Sequence, residues 1–152
     1  MIVFRLSKAA YADDLSGKGA ELTGGRWNSK RIAMLYSSES RALCAVEIAV
    51  HIPLGILPSD YMLITIDFPG QVKFEEVSVD DLPDGWNSMP YGNLTRNIGD
   101  TFVKEMKSAV LKVPSAVIPG EFNFLINPKH PDSSLITIRD CQLFNIDSRL
   151  FL

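Results

Sequence analysis

Cysteine and histidine are scarce in this sequence, with two residues of each among 152. Cys44 and Cys141 lie far apart and have apolar neighbours, so we expect two buried free thiols and no disulfide. No metal-ligand spacing is present, which predicts a protein without a bound metal ion. We interpret His51 as a residue suited to the negative end of a helix, and His130 as a residue that orders a loop.

Long hydrophobic runs are absent as well. No apolar stretch approaches the roughly 18 residues that a membrane-spanning helix needs, so we expect no membrane partner. The opening residues M-I-V-F-R-L-S-K lack the basic start, the apolar core and the cleavage site of a signal peptide. We therefore expect the protein in the cytoplasm.

The chain also lacks an excess of positive charge, since 15 lysines and arginines face 18 aspartates and glutamates, for a net charge of −3. Domains that bind nucleic acid over a broad surface are usually basic, so we expect no direct binding to nucleic acid. An RNase is disfavoured further because no histidine pair is placed to act as acid and base. A basic cluster in the first 31 residues is either a solvated face or a functional patch.

The residues that are present predict a single α+β domain over residues 1–152, because many short strands accompany two main helices. In L-I-T-I-D-F, for example, polar and apolar side chains alternate as in a half-buried strand. The strands are expected at 2–6, 33–37, 62–67, 115–118, 123–126, 135–138 and 142–146.

Two segments have the apolar spacing of helices. The first begins near Ser38 as a candidate N-cap and runs to about His51. The second spans 94–111, and a short helix is possible at 9–15. The segment 80–93 is rich in proline and glycine, which predicts a long surface loop.

An acidic residue interrupts the first helix, in A-L-C-A-V-E-I-A-V at 42–50. On a helix Glu47 shares one face with Leu43 and Val46, so it points inward or into a cleft. An ionised group that is buried without compensation costs several kcal/mol or more, so it is normally paired or used. Glu47 is therefore either a cleft carboxylate or a core carboxylate paired with an arginine or with backbone donors.

Two further motifs favour a cleft. In G-G-R-W-N at 24–28, paired glycines let the backbone approach a ligand, and Arg26 offers a planar fork of donors suited to phosphate or carboxylate. Tyr36 in L-Y-S-S stands between a strand and the Glu47 helix, at one edge of the predicted sheet. The alternative for Tyr36 is a core aromatic with a hydrated hydroxyl.

In order and spacing, Arg26, Tyr36 and Glu47 resemble the RES-domain family, the toxins of RES–Xre toxin–antitoxin systems. The opening F-R-L-S, which contains Arg5, is similar to the first strand of that family. V-P-S-A-V-I-P and E-F-N-F-L-I-N-P-K-H-P resemble its later segments, so the resemblance covers nearly the whole chain.

One residue of the family pattern has several candidates in this sequence. Ser115, in V-P-S-A-V-I-P, is the match that we choose for the family's serine. Ser133 and Ser134 lie near the closing segment and are alternatives.

The resemblance implies an ADP-ribosyltransferase-like fold around a split β-sheet, and an enzyme that consumes NAD as a substrate and needs no cofactor. Members of the family cleave the nicotinamide–ribose bond by hydrolysis or phosphorolysis, and the alternative is transfer of ADP-ribose to a protein. An Xre-type antitoxin is the implied partner and blocks the active site. The sequence leaves open whether the chain forms a homo-oligomer.

The resemblance also assigns roles. Glu47 would stabilise the cationic ribose of the transition state, and Tyr36 would stack on nicotinamide or orient it. Arg26 and Arg5 would bind the pyrophosphate, and Ser115 would hydrogen-bond nicotinamide, ribose or phosphate. No G-x-G-x-x-G fingerprint follows a strand, which excludes NAD binding in the Rossmann manner. The competing hypothesis is a non-catalytic interaction module, in which Glu47 is a paired core carboxylate.

Overall fold

The structure of the chain is a computed structural model that describes residues 1–56 and 59–151. Its strands are β1 (Ile2–Lys8), β2 (Leu35–Ser38), β3 (Tyr61–Asp67), β4 (Phe74–Glu76), β5 (Val110–Pro114), β6 (Phe122–Ile126) and β7 (Thr137–Leu143). Its α-helices are α1 (Lys18–Thr23), α2 (Arg41–Ala49) and α3 (Asn93–Glu105). Short 3-10 turns lie at Ala9–Tyr11, Val79–Asp81, Pro131–Leu135 and Ser148–Phe151.

The strands form one sheet in the order β4-β5-β6-β2-β1-β3-β7. Neighbours are antiparallel except β4 and β5, which are parallel. β1 pairs with β3 along its whole length, but it pairs with β2 only where Phe4 faces Ser38. The sheet therefore divides into two halves that diverge between β1 and β2, which confirms the predicted α+β class with a split sheet.

The helix α2 lies across this division and contacts both β1 and β2. It buries Leu43, Cys44 and Ala45. Ser40 is its N-cap, accepting a hydrogen bond from the Leu43 N–H at 3.0 Å. The helix begins later than predicted because Ser38 still belongs to β2, where it pairs with Asn123.

The second predicted helix is correct at its start and wrong at its end. α3 stops at Glu105, and Met106 has a left-handed backbone conformation. Val110, assigned to the helix by its spacing, instead begins β5 and is fully buried in the sheet. The predicted strand at 115–118 is also wrong, because the strand ends at Pro114 and a turn follows.

The predicted strands at 135–138 and 142–146 overlap one continuous edge strand, β7, which covers only 137–143; Leu135 belongs to a 3-10 turn and residues 144–146 lie outside the strand. Cys141 lies on this edge and is exposed, which corrects the prediction of a buried thiol, whereas Cys44 is buried as predicted. The pairing of β3 with β7 is irregular between Thr65 and Ile66, which leaves Arg139 without a partner in register. A bulge and a charged side chain are typical of edge strands that resist further pairing.

Some smaller elements were not predicted or differ from the prediction. β4 and α1 were missed, and the helix proposed for 9–15 is only the 3-10 turn at Ala9–Tyr11. Residues 80–93 are largely irregular, as predicted. Among the described residues, none of the helices has the length and apolar character to span a membrane.

Candidate functional site

A cleft of about 600 Å³ opens where β1 and β2 diverge. Its walls come from both of these strands, from α2, from the 24–27 loop and from residues near 87–91. Four of the predicted site residues line it: Arg5, Arg26, Tyr36 and Glu47. The fifth, Ser115, touches the cleft through a hydrogen bond to Glu47. Distant parts of the chain thus meet at one surface.

Glu47 is half-buried on the face of α2 that lines the cleft. Its Oε1 accepts hydrogen bonds from Ser115 Oγ at 2.9 Å and from Asn123 Nδ2 at 2.7 Å. Across residues 1–56 and 59–151, no arginine or lysine forms an ion pair with this carboxylate. Glu47 is therefore a cleft carboxylate held by neutral donors, and it keeps its negative charge available to a ligand.

The hydroxyl of Ser115 can donate its hydrogen bond in only one direction. Its Oγ accepts hydrogen bonds from the N–H groups of Val117 and Ile118, each at 3.1 Å. The single hydroxyl proton is therefore directed to Glu47. The alternative serines lie elsewhere, since Ser133 donates to the Pro128 carbonyl and Ser134 to the Pro131 carbonyl.

Asn123 is a site residue that the sequence prediction missed. Its Oδ1 accepts from Ser38 Oγ at 2.7 Å while its Nδ2 donates to Glu47. The side chain thus connects β6, β2 and α2 at the point where the sheet divides. An amide in the otherwise apolar F-N-F-L-I is the same kind of anomaly as Glu47 in its helix, and it was the available signal.

Arg5 projects from β1 into the cleft and is mostly buried. Its Nε is buried and has no hydrogen-bond acceptor among the described residues. Burial lowers the pKa of its guanidinium, and the nearby carboxylate of Asp14 opposes that shift. Arg5 also borders a smaller cavity of about 50 Å³, next to Asp14 and Lys18. A buried guanidinium with an unused donor is suited to an incoming anion.

Arg26 also lines the cleft, but its Nη1 donors are already in use. Its Nη1 donates to the carbonyl oxygens of Trp86 at 2.8 Å and Ser88 at 3.1 Å. Its guanidinium carbon lies 4.9 Å from the ring centroid of Tyr91. Burial lowers the pKa of the guanidinium, while Tyr91 and Glu47 act in the opposite direction.

Tyr36 presents its ring to the cleft while its hydroxyl holds the 24–28 loop. The hydroxyl donates to Asn28 Oδ1 at 2.7 Å and accepts from the Trp27 N–H at 3.1 Å. Burial raises the pKa of Tyr36, so the phenol stays neutral. At Gly25 a Cβ atom would come within 2.7 Å of this hydroxyl, so the loop requires glycine there. Because the hydroxyl is engaged within the protein, the ring is the part of Tyr36 that remains for contact with a ligand.

His51 and Tyr91 close one side of the cleft. His51 follows α2, with its Nδ1 2.6 Å from the Glu47 carbonyl oxygen and its Nε2 3.0 Å from the Tyr91 hydroxyl. Contact with a helix-terminal carbonyl agrees with the helix-end role predicted for His51. His130 accepts from the Asp132 N–H and orders a loop, as predicted.

Cys44 lies one helical turn before Glu47 and also lines the cleft. Its thiol donates to the Phe4 carbonyl oxygen at 3.0 Å. Burial raises the pKa of this thiol to about 11. The thiol is therefore protonated at neutral pH and acts as a structural contact between α2 and β1. Groups of three or more potential metal-ligating side chains do not occur in the part of the chain that the structure describes.

The chain is similar in sequence to a family described as the RES domain, whose model matches residues 2–146. It is 40% identical to the "Prs ADP-ribosylating toxin" of Sphingobium sp. (strain YBL2) over 141 residues, which cover 91% of this chain and 88% of that relative. It is 35% identical to a protein named "Toxin Res" from Photorhabdus laumondii, over 99% of this chain and 97% of that relative.

The fold resembles that of a chain in the crystal structure of the M. tuberculosis MbcT-MbcA toxin-antitoxin complex. The TM-score is 0.76 at 20% sequence identity, and the match covers 95% of this chain and 84% of the other. At this level of identity the likeness concerns the fold alone.

Proposed function

The chain belongs to the RES domain family of toxins, and on that premise we propose that it depletes NAD by cleaving the nicotinamide–ribose bond. NAD is then a consumed substrate, and no separate cofactor takes part. The proposed reaction takes place in the cytoplasm. The proposal rests on Glu47, a carboxylate in a cleft that two neutral donors hold through Oε1.

Cleavage of this bond develops positive charge on the ribose as nicotinamide leaves with the bonding electron pair. A carboxylate that is fixed before the reaction stabilises this charge more in the transition state than in the ground state. Glu47 is half-buried, so the local dielectric is lower than in water, which strengthens that effect. Ser115 and Asn123 orient the carboxylate without neutralising it.

The remaining cleft residues suit the other parts of NAD. Arg5 has an unused buried donor for a phosphate oxygen. The ring of Tyr36 offers a flat surface on which nicotinamide can stack. The bond to ribose C1′ is then completed by an oxygen of water, which gives ADP-ribose and a proton, or by an oxygen of inorganic phosphate.

The direct test is nicotinamide release from NAD by the purified protein, measured with and without inorganic phosphate. Release in buffer without phosphate supports hydrolysis, and release that requires phosphate supports phosphorolysis. Folded wild-type protein that releases no nicotinamide under either condition contradicts the proposal.

Transfer of ADP-ribose to a protein is the second candidate, and the name of the 40% identical Sphingobium relative favours it. The cleft chemistry is the same up to the last step, in which a protein side chain replaces water as the nucleophile. Labelled NAD incubated with cell lysate distinguishes the two functions. A discrete labelled protein band with little loss of free NAD supports transfer, and rapid loss of NAD without a band supports depletion.

We also propose an Xre-type antitoxin as a protein partner that blocks the cleft. The structural neighbour comes from a toxin–antitoxin complex, which supports a partner of this kind. Expression of the toxin alone should arrest growth. Co-expression with a helix-turn-helix protein encoded by a neighbouring gene should restore growth and suppress nicotinamide release. If that protein binds without suppressing release, the partner does not act at the cleft.

A further inference from the structure

The proline- and glycine-rich segment between β4 and α3 folds over the cleft, where the proposed reaction gives it no role. Asn87, Met89 and Tyr91 of this segment line the cleft. We call residues 86–91 the roof segment. Trp86 at its start lies beside a buried aromatic of the 24–28 loop, with ring centroids 6.2 Å apart. The segment is therefore part of the cleft wall and not a free surface loop.

Arg26 makes the polar contacts that hold the first part of the roof segment. A guanidinium Nη1 carries two hydrogens, and here both go to carbonyl oxygens, those of Trp86 and Ser88. Nη2 points the same way, lying 3.5 Å from the Asn87 carbonyl oxygen. Hydrogen bonds from a charged donor are roughly twice as strong as neutral ones. Arg26 therefore anchors the backbone of the roof segment.

Tyr91 fixes the other end of the segment. Its ring contacts the guanidinium groups of Arg26 at 4.9 Å and Arg96 at 5.9 Å. Its hydroxyl bonds to His51, which in turn contacts the carbonyl oxygen of Glu47. The roof segment is thus tied to the helix end that carries the candidate catalytic carboxylate.

The two cleft arginines therefore differ in what they have free to offer a substrate. Arg5 has a buried Nε without an acceptor, whereas both Nη1 hydrogens of Arg26 are taken by the roof segment. We propose that Arg26 is a positioning residue that anchors the roof segment over the cleft, and is not itself a ligand of the substrate's phosphate groups. The substrate's identity rests on the proposed function, and the anchoring of the roof does not.

Hydrogen exchange tests the anchor without any substrate. The N–H groups of Trp86 and Ser88 donate to carbonyls within the loop, so their exchange reports the order of the segment. Arg26→Ala should speed exchange of the Trp86 and Ser88 N–H groups by roughly 10-fold or more, and Arg26→Lys should restore only part of their protection. The matched control is Arg139→Ala on the distant edge strand, which should leave 86–91 unchanged. Unchanged protection in Arg26→Ala overturns the anchor.

Kinetics with a truncated substrate test the division between the arginines. Nicotinamide riboside contains the bond to be cleaved but has no phosphate. Arg5→Met should lower kcat/KM for NAD by roughly 10- to 100-fold and leave the riboside unaffected. Arg26→Ala should lower kcat/KM for both substrates by the same factor. A loss confined to NAD in Arg26→Ala would make Arg26 a phosphate ligand and overturn the proposal.

Tyr91 variants separate the ring from the hydroxyl. Tyr91→Leu should resemble Arg26→Ala in both exchange and kinetics, because it removes the surface that the guanidinium groups contact. Tyr91→Phe keeps that surface and should give the smaller loss. Equal losses in the two variants would assign the effect to the hydroxyl and contradict the role of the ring.

A failure of the proposed function leaves a different signature. Wild-type protein that releases nicotinamide from neither substrate contradicts NAD cleavage, while the exchange experiment still decides whether Arg26 anchors the roof segment.

Discussion

The two charged cleft residues Glu47 and Arg5 are held in opposite ways. Glu47 has its hydrogen-bond partners in place, Ser115 and Asn123. Arg5 is buried with an N–H group that has no acceptor among the described residues. A buried donor without a partner costs free energy, which supports the proposal that a ligand supplies the acceptor. Under that proposal the surroundings of Glu47 are complete without substrate, and those of Arg5 are not.

Of the variants that test this comparison, replacement of Glu47 should have the largest effect on nicotinamide release. In Glu47→Gln an amide oxygen can still accept from Ser115 and Asn123, so only the charge is lost. We expect nicotinamide release to fall roughly 10²- to 10³-fold, with little change in thermal stability. Glu105→Gln, at an exposed ion pair, is the control and should retain full release. A large loss of stability with no activity in the wild type would instead support the interaction-module hypothesis.

Replacing Arg5 should affect stability and function in opposite directions. Arg5→Met fills a similar volume and removes a buried charge whose Nε has no hydrogen-bonded partner within residues 1–56 and 59–151. We expect the free energy of unfolding to rise by about 1 kcal/mol, measured by denaturant titration. The KM for NAD should rise roughly 10- to 100-fold. A destabilised variant with an unchanged KM would mean that Arg5 is a structural residue.

Ser115→Ala should have an intermediate effect, because Ser115 holds the Glu47 carboxylate. It removes one donor to the carboxylate and the acceptor for the Val117 and Ile118 N–H groups. We expect roughly a 10-fold loss of nicotinamide release and a loss of about 1–2 kcal/mol in the free energy of unfolding. Ser134→Ala, which removes an exposed hydroxyl from a loop, should change neither quantity. Equal effects of the two variants would contradict the assignment of Ser115.

The smallest expected effect concerns Cys44, which also lines the cleft. Its pKa of about 11 exceeds the ordinary value of 9.0, so folding favours the protonated thiol. Its contribution to stability is full below about pH 9 and is lost as the pH rises towards 11. Cys44→Ala should remove this part of the loss of stability at alkaline pH. The part due to Tyr36, whose pKa is also raised, should remain.

Labelling with iodoacetamide provides an independent check on the same thiol. At pH 8 native protein should react at the exposed Cys141 and not at Cys44. Rapid labelling of both residues in the native state would contradict the burial of Cys44.

The sequence predicted the elements whose patterns are local. The order and spacing of Arg26, Tyr36 and Glu47 predicted a shared site, and the three residues line the same cleft. This was possible because each stands beside a strand or helix with a clear pattern. The prediction failed where neighbours in space decide the structure. Val110 fits a helix by spacing, yet its burial beside β6 makes it part of a strand.

The partners of the site residues were harder to predict than the residues themselves. The motif G-G-R-W-N predicts that the donors of Arg26 are free to bind a ligand. In the structure its acceptors are backbone carbonyls about sixty residues later in the chain. Carbonyls carry no sequence signal. Asn123 was missed for a related reason, since its importance comes from Glu47 and Ser38, which are distant in sequence.

The single point of pairing between β1 and β2 also affects how the molecule folds. Two half-sheets joined only at Phe4 and Ser38 share few backbone hydrogen bonds, so the sheet itself couples their unfolding weakly. The additional coupling comes from a shared buried cluster, in which Val3 and Ile64 of one half pack with Leu35 and Phe124 of the other, and from α2, which contacts both strands. The helix that carries Glu47 therefore also helps to join the two halves, and local opening of α2 would loosen the fold and dismantle the site in the same event.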